Sequence, residues 1–250
     1  MLSGLHATKL RAPQFGARET GAIFCRPATS ACMSTSVKIC CMASIDEALT
    51  AIRLGAAAIG LVSRMPSGPG PIEEDLIAQI VSAVPSTADT FLLTSETTAA
   101  HIVAQQRRTR ASTLQLVDHV EEGAHHAIRA SLPNVKIVQV IHVTGEESID
   151  EAIALAADVD ALLLDSGNPR LAVKELGGTG RRHDWSISRR IVESSAAPVY
   201  LAGGLNASNV AEAIETVAPF GVDVCSGVRT NGALDIQKVS AFIEAVHGTD

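Results

Sequence analysis

The sequence predicts an α/β protein, a single (β/α)8 barrel preceded by a disordered N-terminal extension. From residue 37 onwards, eight short apolar runs alternate strictly with eight helical patterns, which is typical of a parallel sheet. The apolar runs are continuous, as expected for strands that are covered on both faces. Eight βα units within residues 37–250 fit a closed barrel at the short end of its usual size.

The first βα unit shows how each element is predicted. VKICCM is an apolar strand run, and the next helix follows Ser44, a favourable N-cap residue, with Glu47 at the capping-box spacing and Gly55 at its end. The eight strand runs are 37–42, 57–62, 90–94, 113–117, 135–143, 160–165, 198–202 and 222–226. The helical patterns that follow them are 44–55, 73–84, 96–108, 121–130, 146–158, 185–195, 206–217 and 233–246.

The competing architecture is a doubly wound open sheet. Such a sheet usually has a glycine-rich loop directly after its first strand. Here the first strand run ends in CCMAS, without glycine, and the glycine pairs come late in the chain. The position of the glycines therefore favours the closed barrel.

Composition excludes several classes of protein. The chain has 250 residues, 46% apolar and 19% charged, which is enough to bury a large core. Its formal net charge is −7 and no basic stripe is present, so we expect neither a nucleic-acid partner nor an acidic membrane surface. No apolar run approaches the roughly 18 residues that span a bilayer.

Cysteine usage indicates reduced thiols. The odd count and the lack of CxxC spacing argue against a disulfide framework and against a thiolate metal site. We therefore expect no metal and a reducing compartment. The five cysteines are Cys25, Cys32, Cys40, Cys41 and Cys225.

Residues 1–36 differ from the body at 37–250. They contain four basic residues against one acidic residue and are rich in Ser, Thr and Ala, a composition typical of a mitochondrial or plastid transit peptide. The alternative is a disordered extension with Met33 as the true start, which would leave the protein in the cytoplasm. Both readings treat 37–250 as the folded domain.

The barrel prediction also selects candidate site residues, because active sites of such barrels lie at the carboxyl ends of the strands. Asp165 closes the apolar run LLLD, where partial desolvation would raise its pKa and suit it to general-acid chemistry; a helix cap is the alternative. Cys40 ends the first run, and as a thiolate it could act as a base; a small core residue is the alternative. The other strand-end candidates are Gln115, His142, Gly203, Gly204, Ser226 and Gly227.

Two late glycine stretches, AGGL and CSGVRTNG, predict a phosphate site after strands seven and eight. Glycines let backbone N–H groups approach an anion, and these loops are a frequent phosphate site in barrels of this kind. Two tight turns are the alternative explanation. An acid, a base and a phosphate site at one barrel end would suit proton transfer on a phosphosugar.

Several stretches in order resemble the N-(5'-phosphoribosyl)anthranilate isomerase family. These are KIC at 38–40, LLLDSGNP at 162–169, GGTGRRHDW at 177–185, PVYLAGGLNASNVAEAI at 198–214 and GVDVCSGVRTNGALD at 221–235. The resemblance covers essentially the whole body. It implies a TIM barrel that acts in tryptophan biosynthesis and performs a cofactor-free Amadori rearrangement of an aminoribosyl phosphate.

By this resemblance, Cys40 matches the general base and Asp165 the general acid. Phosphate binding is implied for Gly178, Gly203, Gly204, Ser226 and Gly227. Cys41 replaces a glycine that is usual in the family, and alternation along the strand predicts that its side chain faces the helices, since at most one of the two thiols would face the site.

The chain departs from the family around the aglycone, the anthranilate part of the substrate. The loop after strand two, SRMPSGPGPI, has no arginine at the expected position near Gly70, and Arg64 lies earlier in that loop. Val117 replaces a histidine, and Arg229 stands where an acidic residue is common. The possible aglycone-binding residues are therefore Arg64, Gln115, His142 and Arg229.

Three functions remain open from the sequence. The first is phosphoribosylanthranilate isomerase; the second is a related barrel isomerase or epimerase with another phosphosugar; the third is a non-catalytic barrel that binds a phosphate ligand. Retention of both Cys40 and Asp165 speaks against the third. A small-molecule phosphosugar partner is expected, with the protein a monomer or homodimer.

Overall fold

The structure, a computed structural model, describes residues 34–249 except 169, 170, 172, 178 and 179. In this part of the chain, eight parallel strands form a closed barrel in chain order. The first and last strands pair in register, with Lys38 opposite Asp223. The predicted (β/α)8 barrel is confirmed, whereas most of the predicted leader lies outside the described residues.

The elements agree closely with the predicted runs. The barrel strands are β1 (Ser36–Ile39), β2 (Ala58–Val62), β3 (Asp89–Thr94), β4 (Thr113–Leu116), β5 (Lys136–His142), β6 (Ala161–Asp165), β7 (Val199–Leu201) and β8 (Gly221–Val224). The helices are α1 (Ile45–Arg53), α2 (Glu74–Ala83), α3 (Ala99–Thr109), α4 (Ala124–Ser131), α5 (Glu147–Leu155), α6 (Trp185–Ser194), α7 (Val210–Val217) and α8 (Ile236–His247).

The connection between β8 and α8 carries additional structure. A 3-10 turn at Ser226–Val228 leads into a two-stranded antiparallel hairpin, β9 (Arg229–Thr230) and β10 (Ala233–Leu234). This hairpin places Arg229 beside the loop that follows β1, where it takes part in an ion pair described below.

Strand β1 ends earlier than predicted. Its last residue is Ile39, and Cys41 adopts a left-handed backbone with φ of 66°. A residue with positive φ breaks the alternation of side chains along a strand. The predicted orientation of the Cys41 side chain depended on that alternation, so the prediction does not hold once the backbone of Cys41 is left-handed.

Helix α1 begins with the predicted cap. The hydroxyl of Ser44 accepts a hydrogen bond from the N–H of Glu47 at 3.1 Å, and the Glu47 carboxylate accepts from the N–H of Ala43 at 3.0 Å. The reciprocal capping pattern is therefore present, shifted by one residue on its return arm. Gly55, with φ of 112°, follows the helix as predicted.

The barrel interior is filled by side chains, so it is a packed core with no central channel. Phe91 and Tyr200 pack edge to face with ring centroids 5.9 Å apart, and Val138, Val140 and Leu163 are buried in the same cluster. A second, larger apolar cluster lies between the strands and the helices. Each fully buried large apolar side chain contributes roughly 1.5–3 kcal/mol to folding. The interior packing leaves room for a ligand at the carboxyl end of the barrel.

None of the helices described between residues 34 and 249 is both long enough and apolar enough to cross a membrane.

Candidate active site

A pocket opens at the carboxyl ends of the barrel strands. This is the end at which the sequence predicts the site. The residues that line the pocket are Cys40, Cys41, Val62, Met65, Ser67, Gly68, Pro69, Leu93, Gln115, Val117, Asp165, Leu176, Gly177, Gly180, Ala202, Gly203, Gly204, Leu205, Asp223, Val224, Cys225 and Ser226.

Cys40 lies on one wall of this pocket, directly after β1. Its N–H donates to the carbonyl of Val224 at 2.8 Å, which extends the pairing of β1 with β8 by one residue. Its side chain packs beside Gly60, where an added Cβ would come within 2.7 Å of the sulfur. The thiol is buried but borders the cavity, so it is placed to meet a ligand without being freely solvated.

Asp165 lines the same pocket from the end of β6. Burial raises the pKa of its carboxyl, and the N–H of Ser166, which donates to Oδ1 at 2.7 Å, offsets part of this effect. Gly177 packs against the other oxygen so closely that a Cβ there would lie 2.5 Å from Oδ2. A carboxyl with a raised pKa is suited to hold a proton for general-acid chemistry near neutral pH.

A buried ion pair lies beneath Cys40. Lys38 Nζ is 2.8 Å from Asp223 Oδ2 and 5.2 Å from the centroid of the Phe91 ring. A Cβ on Gly60 would lie 3.2 Å from Lys38 Nζ and 2.7 Å from Cys40 Sγ, so the ammonium and the thiol are near neighbours. Burial lowers the pKa of Lys38, but the paired Asp223 carboxylate raises it by more, so the amine stays charged.

The loops after β7 and β8 form the cup predicted for phosphate. Gly203 and Gly204 adopt positive φ of 86° and 68°, and both line the pocket together with Ser226. Asn209 Nδ2 donates to the carbonyl of Gly204 at 3.0 Å and ties this loop to the start of α7. The two glycines and Ser226 therefore form one wall of the pocket.

Two further glycines were predicted for the cup. Gly227 does not line the pocket; a Cβ there would overlap the carbonyl of Leu205, so this glycine lets the two loops approach each other. Gly178 lies outside the described residues. Its neighbours Gly177 and Gly180 line the pocket, so this glycine stretch does reach the cavity.

His183 packs behind the cup. Its Nε2 lies 2.7 Å from the Ser188 hydroxyl, and a Cβ on Gly203 would lie 3.0 Å from its Nδ1. Burial lowers the pKa of His183 to about 4. The imidazole is therefore neutral at physiological pH and supports the glycine loop without adding charge.

A model of the N-(5'phosphoribosyl)anthranilate (PRA) isomerase family matches residues 37–245. This is nearly the whole barrel. The chain belongs to this isomerase family. The resemblance and the enzyme class inferred from the sequence are thereby confirmed.

Known isomerases from archaea and bacteria are similar along nearly their whole length. The N-(5'-phosphoribosyl)anthranilate isomerase of Methanocella arvoryzae is 36% identical over 216 residues, covering 86% of this chain and 99% of that protein. The enzyme of Halobacterium salinarum is 35% identical over 219 residues, covering 86% of this chain and 97% of its own.

Solved structures of the family have the same fold. Phosphoribosyl anthranilate isomerase from Thermotoga maritima superposes with a TM-score of 0.72 at 27% identity, covering 86% of this chain and 99% of that one. An isomerase solved with reduced 1-(o-carboxyphenylamino)-1-deoxyribulose 5-phosphate superposes with a TM-score of 0.70 at 25% identity, with the same coverage. The Thermotoga enzyme has also been described as a dimer.

Four residues were predicted to bind the aglycone, and of these only Gln115 lines the pocket. It lies on β4, is 3% exposed, and its Oε1 has no hydrogen-bond partner among the described residues. A buried amide oxygen without a partner costs free energy. Because this oxygen lies at the cavity wall, it can accept a hydrogen bond from a donor group of a ligand.

Arg64 and His142 do not line the pocket. Arg64 is exposed, and its carbonyl accepts from the Ser95 hydroxyl at 3.1 Å. His142 is buried at the end of β5, where Nε2 donates to the carbonyl of Val117 at 2.9 Å. The structure thus places both predicted aglycone residues outside the cavity that holds Cys40 and Asp165.

Arg229 forms an ion pair and hydrogen bonds within the protein and does not line the pocket. Its guanidinium pairs with Glu47 at 2.9 Å, donates to the carbonyl of Gly232 at 2.7 Å and donates to the carbonyl of Cys41. Its side chain is 10% exposed. Glu47 raises the pKa of Arg229 despite burial. This residue clamps the loop after β1 to the hairpin after β8, so the expectation that it binds the aglycone is not supported.

Cys41 faces the pocket, so the prediction that it packs against the helices is wrong. The left-handed backbone of Cys41 turns its side chain to the same cluster as Cys40. Its Sγ lies 2.7 Å from Cys225 Sγ. A Cβ on Gly70 would lie 2.7 Å from Cys41 Cβ, so Cys41 fills space beside the loop where the family carries its arginine.

The sequence analysis missed several lining or supporting residues. Lys38 could have been found, because residues two apart on a strand point to the same face and Lys38 precedes Cys40 by two. Asp223 interrupts an otherwise apolar run, which is a comparable signal. Met65, Leu93 and Leu176 have no such signal, since apolar residues at a rim resemble core residues in sequence.

The described part of the loop between β6 and α6 reaches across the pocket. Ser67 donates through its hydroxyl to the carbonyl of Lys174, and Lys174 forms an ion pair with Asp118 at the end of β4. Leu176 and Gly177 from this loop line the cavity. Closure of such a segment excludes water from a site.

Proposed function

We propose that this chain converts N-(5'-phosphoribosyl)anthranilate to 1-(2-carboxyphenylamino)-1-deoxyribulose 5-phosphate, with Asp165 as general acid and Cys40 as general base. The observation that carries this proposal is the shared pocket of Cys40 and Asp165, beside a glycine and serine cup. Strands β1 and β6 are three strands apart around the barrel. The two groups therefore reach a bound sugar from different sides.

The reaction needs one proton delivered and one removed. Asp165, whose pKa is raised by burial, gives its proton to the ring oxygen, and the bond from that oxygen to C1' breaks to leave an iminium. Cys40 as thiolate then removes the proton from C2'. The resulting enol tautomerises to the 2-ketone of the product. Neither step requires electrons from outside the substrate.

Lys38 supports the base. A thiol acts as a base only as its thiolate, and a neighbouring positive charge favours that form. Lys38 is the buried cation next to Cys40, and its pairing with Asp223 keeps it in place. We assign Lys38 as a positioning residue, because it acts through Cys40 and does not line the pocket.

We assign the phosphate to the cup of Gly203, Gly204 and Ser226. The two glycines support the assignment, because residues without side chains let the backbone N–H groups of a loop approach an anion closely. Gly227 contributes by allowing the two loops to meet, and Gly178 remains a predicted member of this cup. The cup lies in the same pocket as both proton-transfer residues, as a single phosphosugar requires.

The aglycone end is assigned to the apolar side of the pocket. Met65, Leu93, Val117 and Leu176 offer surface for an aromatic ring. Gln115 offers the unpartnered amide oxygen, which can accept from the anilino N–H of the substrate. Among the described lining residues there is no arginine or lysine, so none of these supplies the cation that the resemblance leads us to expect for the anthranilate carboxylate.

We also infer that residues 1–36 are a transit peptide for a plastid or mitochondrion. The basic, Ser- and Ala-rich composition supports this, and the family match begins only at residue 37. Sequencing the mature N-terminus of protein purified from its own cells would test it, since an intact Met1 would exclude cleavage. A monomer or homodimer is expected, and light scattering would distinguish the two.

The activity is tested by turnover of N-(5'-phosphoribosyl)anthranilate, followed through its anthranilate fluorescence. Cys40→Ser and Asp165→Asn should each lower kcat by at least about 100-fold, the usual contribution of a general acid or base. Inorganic phosphate should still raise the Tm of both variants, which shows that the cup remains intact. Cys41→Ser removes the adjacent thiol and is the matched control. Its kcat should fall far less than that of Cys40→Ser.

The result that would contradict the proposal is equally clear. Absence of turnover in the wild-type chain, with a phosphate-induced rise in Tm, would assign the barrel to another phosphosugar. Turnover that survives in Cys40→Ser would remove Cys40 from the role of base.

A further inference from the structure

Cys41 and Cys225 stand side by side on the pocket wall, and the proposed reaction uses neither. Their sulfurs are 2.7 Å apart, and both thiols are free. A disulfide bond is about 2.05 Å long, and the Cα atoms of the two bonded cysteines usually lie roughly 4.4–6.8 Å apart. Both cysteines follow neighbouring strands of the barrel, since β1 and β8 are paired and their last paired residues are Ile39 and Val224.

The two thiols differ in a way that suits oxidation. Cys225 is partly exposed, whereas Cys41 is buried, so an oxidant in the pocket reaches Cys225 first. The contact with Cys41 lowers the pKa of Cys225, as do the charges of Arg229 and Lys38, whereas burial and the Asp223 carboxylate oppose this effect. The same contact raises the pKa of Cys41. Of the two thiols, Cys225 is therefore the one that loses its proton more readily.

We propose that Cys41 and Cys225 form a reversible oxidation site that closes to a disulfide when the protein meets hydrogen peroxide. The Cys225 thiolate attacks one peroxide oxygen, the O–O bond breaks, and the departing hydroxide takes up a proton to become water. The Cys41 sulfur then attacks the Cys225 sulfenic acid, the S–O bond breaks, and the second oxygen leaves as water. The sulfur pair loses two electrons, which the two peroxide oxygens gain.

The bond would join two loops that carry the proposed chemistry. Cys41 follows Cys40 directly, and Cys225 precedes Ser226 of the phosphate cup. The carbonyl of Cys41 is also held by Arg229. Pulling the sulfurs together shifts both loops against that clamp, so oxidation should lower turnover and reduction with dithiothreitol should restore it. This consequence rests on the proposed function; formation of the disulfide does not.

The test is peptide mapping of the full chain after treatment with hydrogen peroxide and alkylation of the remaining thiols. Trypsin places Cys41 on peptide 39–53 and Cys225 on peptide 191–229, while Cys25 and Cys32 fall on a different peptide. The expected result is one linked pair of these two peptides, lighter by two hydrogen atoms than their sum and separated by dithiothreitol. The Cys40→Ser variant should give the same link, which assigns it to Cys41, and Cys225→Ser should give none.

Recovery of Cys41 and Cys225 in alkylated form after peroxide would overturn the proposal. So would a link that disappears in Cys40→Ser, because it would then belong to Cys40. Turnover is measured on the linked wild-type protein before and after dithiothreitol, each relative to the untreated enzyme. A linked protein with full turnover would overturn the regulatory consequence. In Cys40→Ser the disulfide is detected by mass alone. The test of the disulfide is therefore independent of the test of the proposed isomerase activity.

Discussion

Lys38 and Asp223 form an ion pair of 2.8 Å inside the barrel, between two strands that are far apart in the chain. Lys38 is fully buried, and Asp223 is 8% exposed at the floor of the pocket. Removing two charges from water is costly, and their attraction repays this cost only when both partners are present. The pair therefore joins the first and last strands while it places a positive charge beneath Cys40.

The first prediction concerns this pair. Lys38→Met should lower the free energy of unfolding by about 3–5 kcal/mol, because it leaves the Asp223 carboxylate buried without a partner. The double variant Lys38→Met with Asp223→Leu should recover most of that loss, since no buried charge remains. Urea unfolding at pH 7 measures both. Equal destabilisation in the single and double variants would show that the charge pairing is not the cause.

The second prediction uses the raised pKa of Asp165. A carboxyl whose folded pKa lies above its unfolded value of about 3.9 contributes stability at low pH and loses it as pH rises through the folded pKa. Asp165→Asn, which carries no charge, should therefore be more stable than the wild type at pH 7. The difference should be about 1.4 kcal/mol for each unit of pKa elevation, and it should vanish below about pH 4.

Urea unfolding at pH 4 and pH 7 checks this difference. Asp158→Asn, at an exposed carboxylate, is the matched control. The charged or titratable groups that act on Asp165 are His142 and Lys38, which lower its pKa, and Asp223, which raises it as burial does. A wild-type protein more stable than Asp165→Asn at pH 7 would mean that His142, Lys38 and the Ser166 N–H outweigh burial.

The third prediction compares two buried glutamines on adjacent strands. Gln115→Leu should raise the KM and leave the free energy of unfolding unchanged or higher by about 1 kcal/mol, because its Oε1 has no partner to lose. Gln139→Leu should be destabilising by about 1–3 kcal/mol, because its amide nitrogen donates to the carbonyls of Leu116 and Asp118, both at 3.1 Å. Steady-state kinetics and urea unfolding separate the two. A Gln115→Leu variant with unchanged KM would exclude Gln115 from the aglycone site.

The fourth prediction distinguishes a clamp from a ligand contact at Arg229. Arg229→Ala, Glu47→Ala and the double variant form a cycle whose coupling energy in stability should be about 0.5–3 kcal/mol, as found for residues in one network. If Arg229 acts as a clamp, Arg229→Ala lowers kcat through the position of the Cys40 loop and changes KM little. A large rise in KM with unchanged kcat would instead restore the interpretation of Arg229 as an aglycone residue.

Much of the fold could be predicted from local patterns. The eight apolar runs and helical patterns follow from the requirement that parallel strands be covered by helices on both faces. The glycine pair at 203–204 and the single Gly227 mark loops, because few other residues tolerate positive φ or close backbone approach. Knowledge that sites lie at the carboxyl ends of barrel strands then places Cys40, Asp165 and the cup in one region.

The aglycone side could not be predicted in this way. Arg64 and Arg229 both carry the charge that an anthranilate carboxylate needs, and sequence alone does not distinguish a free cation from a paired one. Glu47, the partner of Arg229, lies 182 residues away in the chain. The orientation of Cys41 depended on a single backbone angle, φ of 66°, which reverses the direction that strand alternation predicts.

By itself, the sequence determined the barrel, the end of the barrel that carries the site, and the residue types available for acid, base and phosphate. These follow from periodicity and from short motifs, which act over a few neighbouring residues. Only the tertiary structure decided which polar side chains reach the cavity, because that depends on partners distant in the chain. The cation of Lys38 beneath Cys40, the sulfur of Cys41 beside Cys225 and the removal of Arg229 from the pocket are all of this second kind.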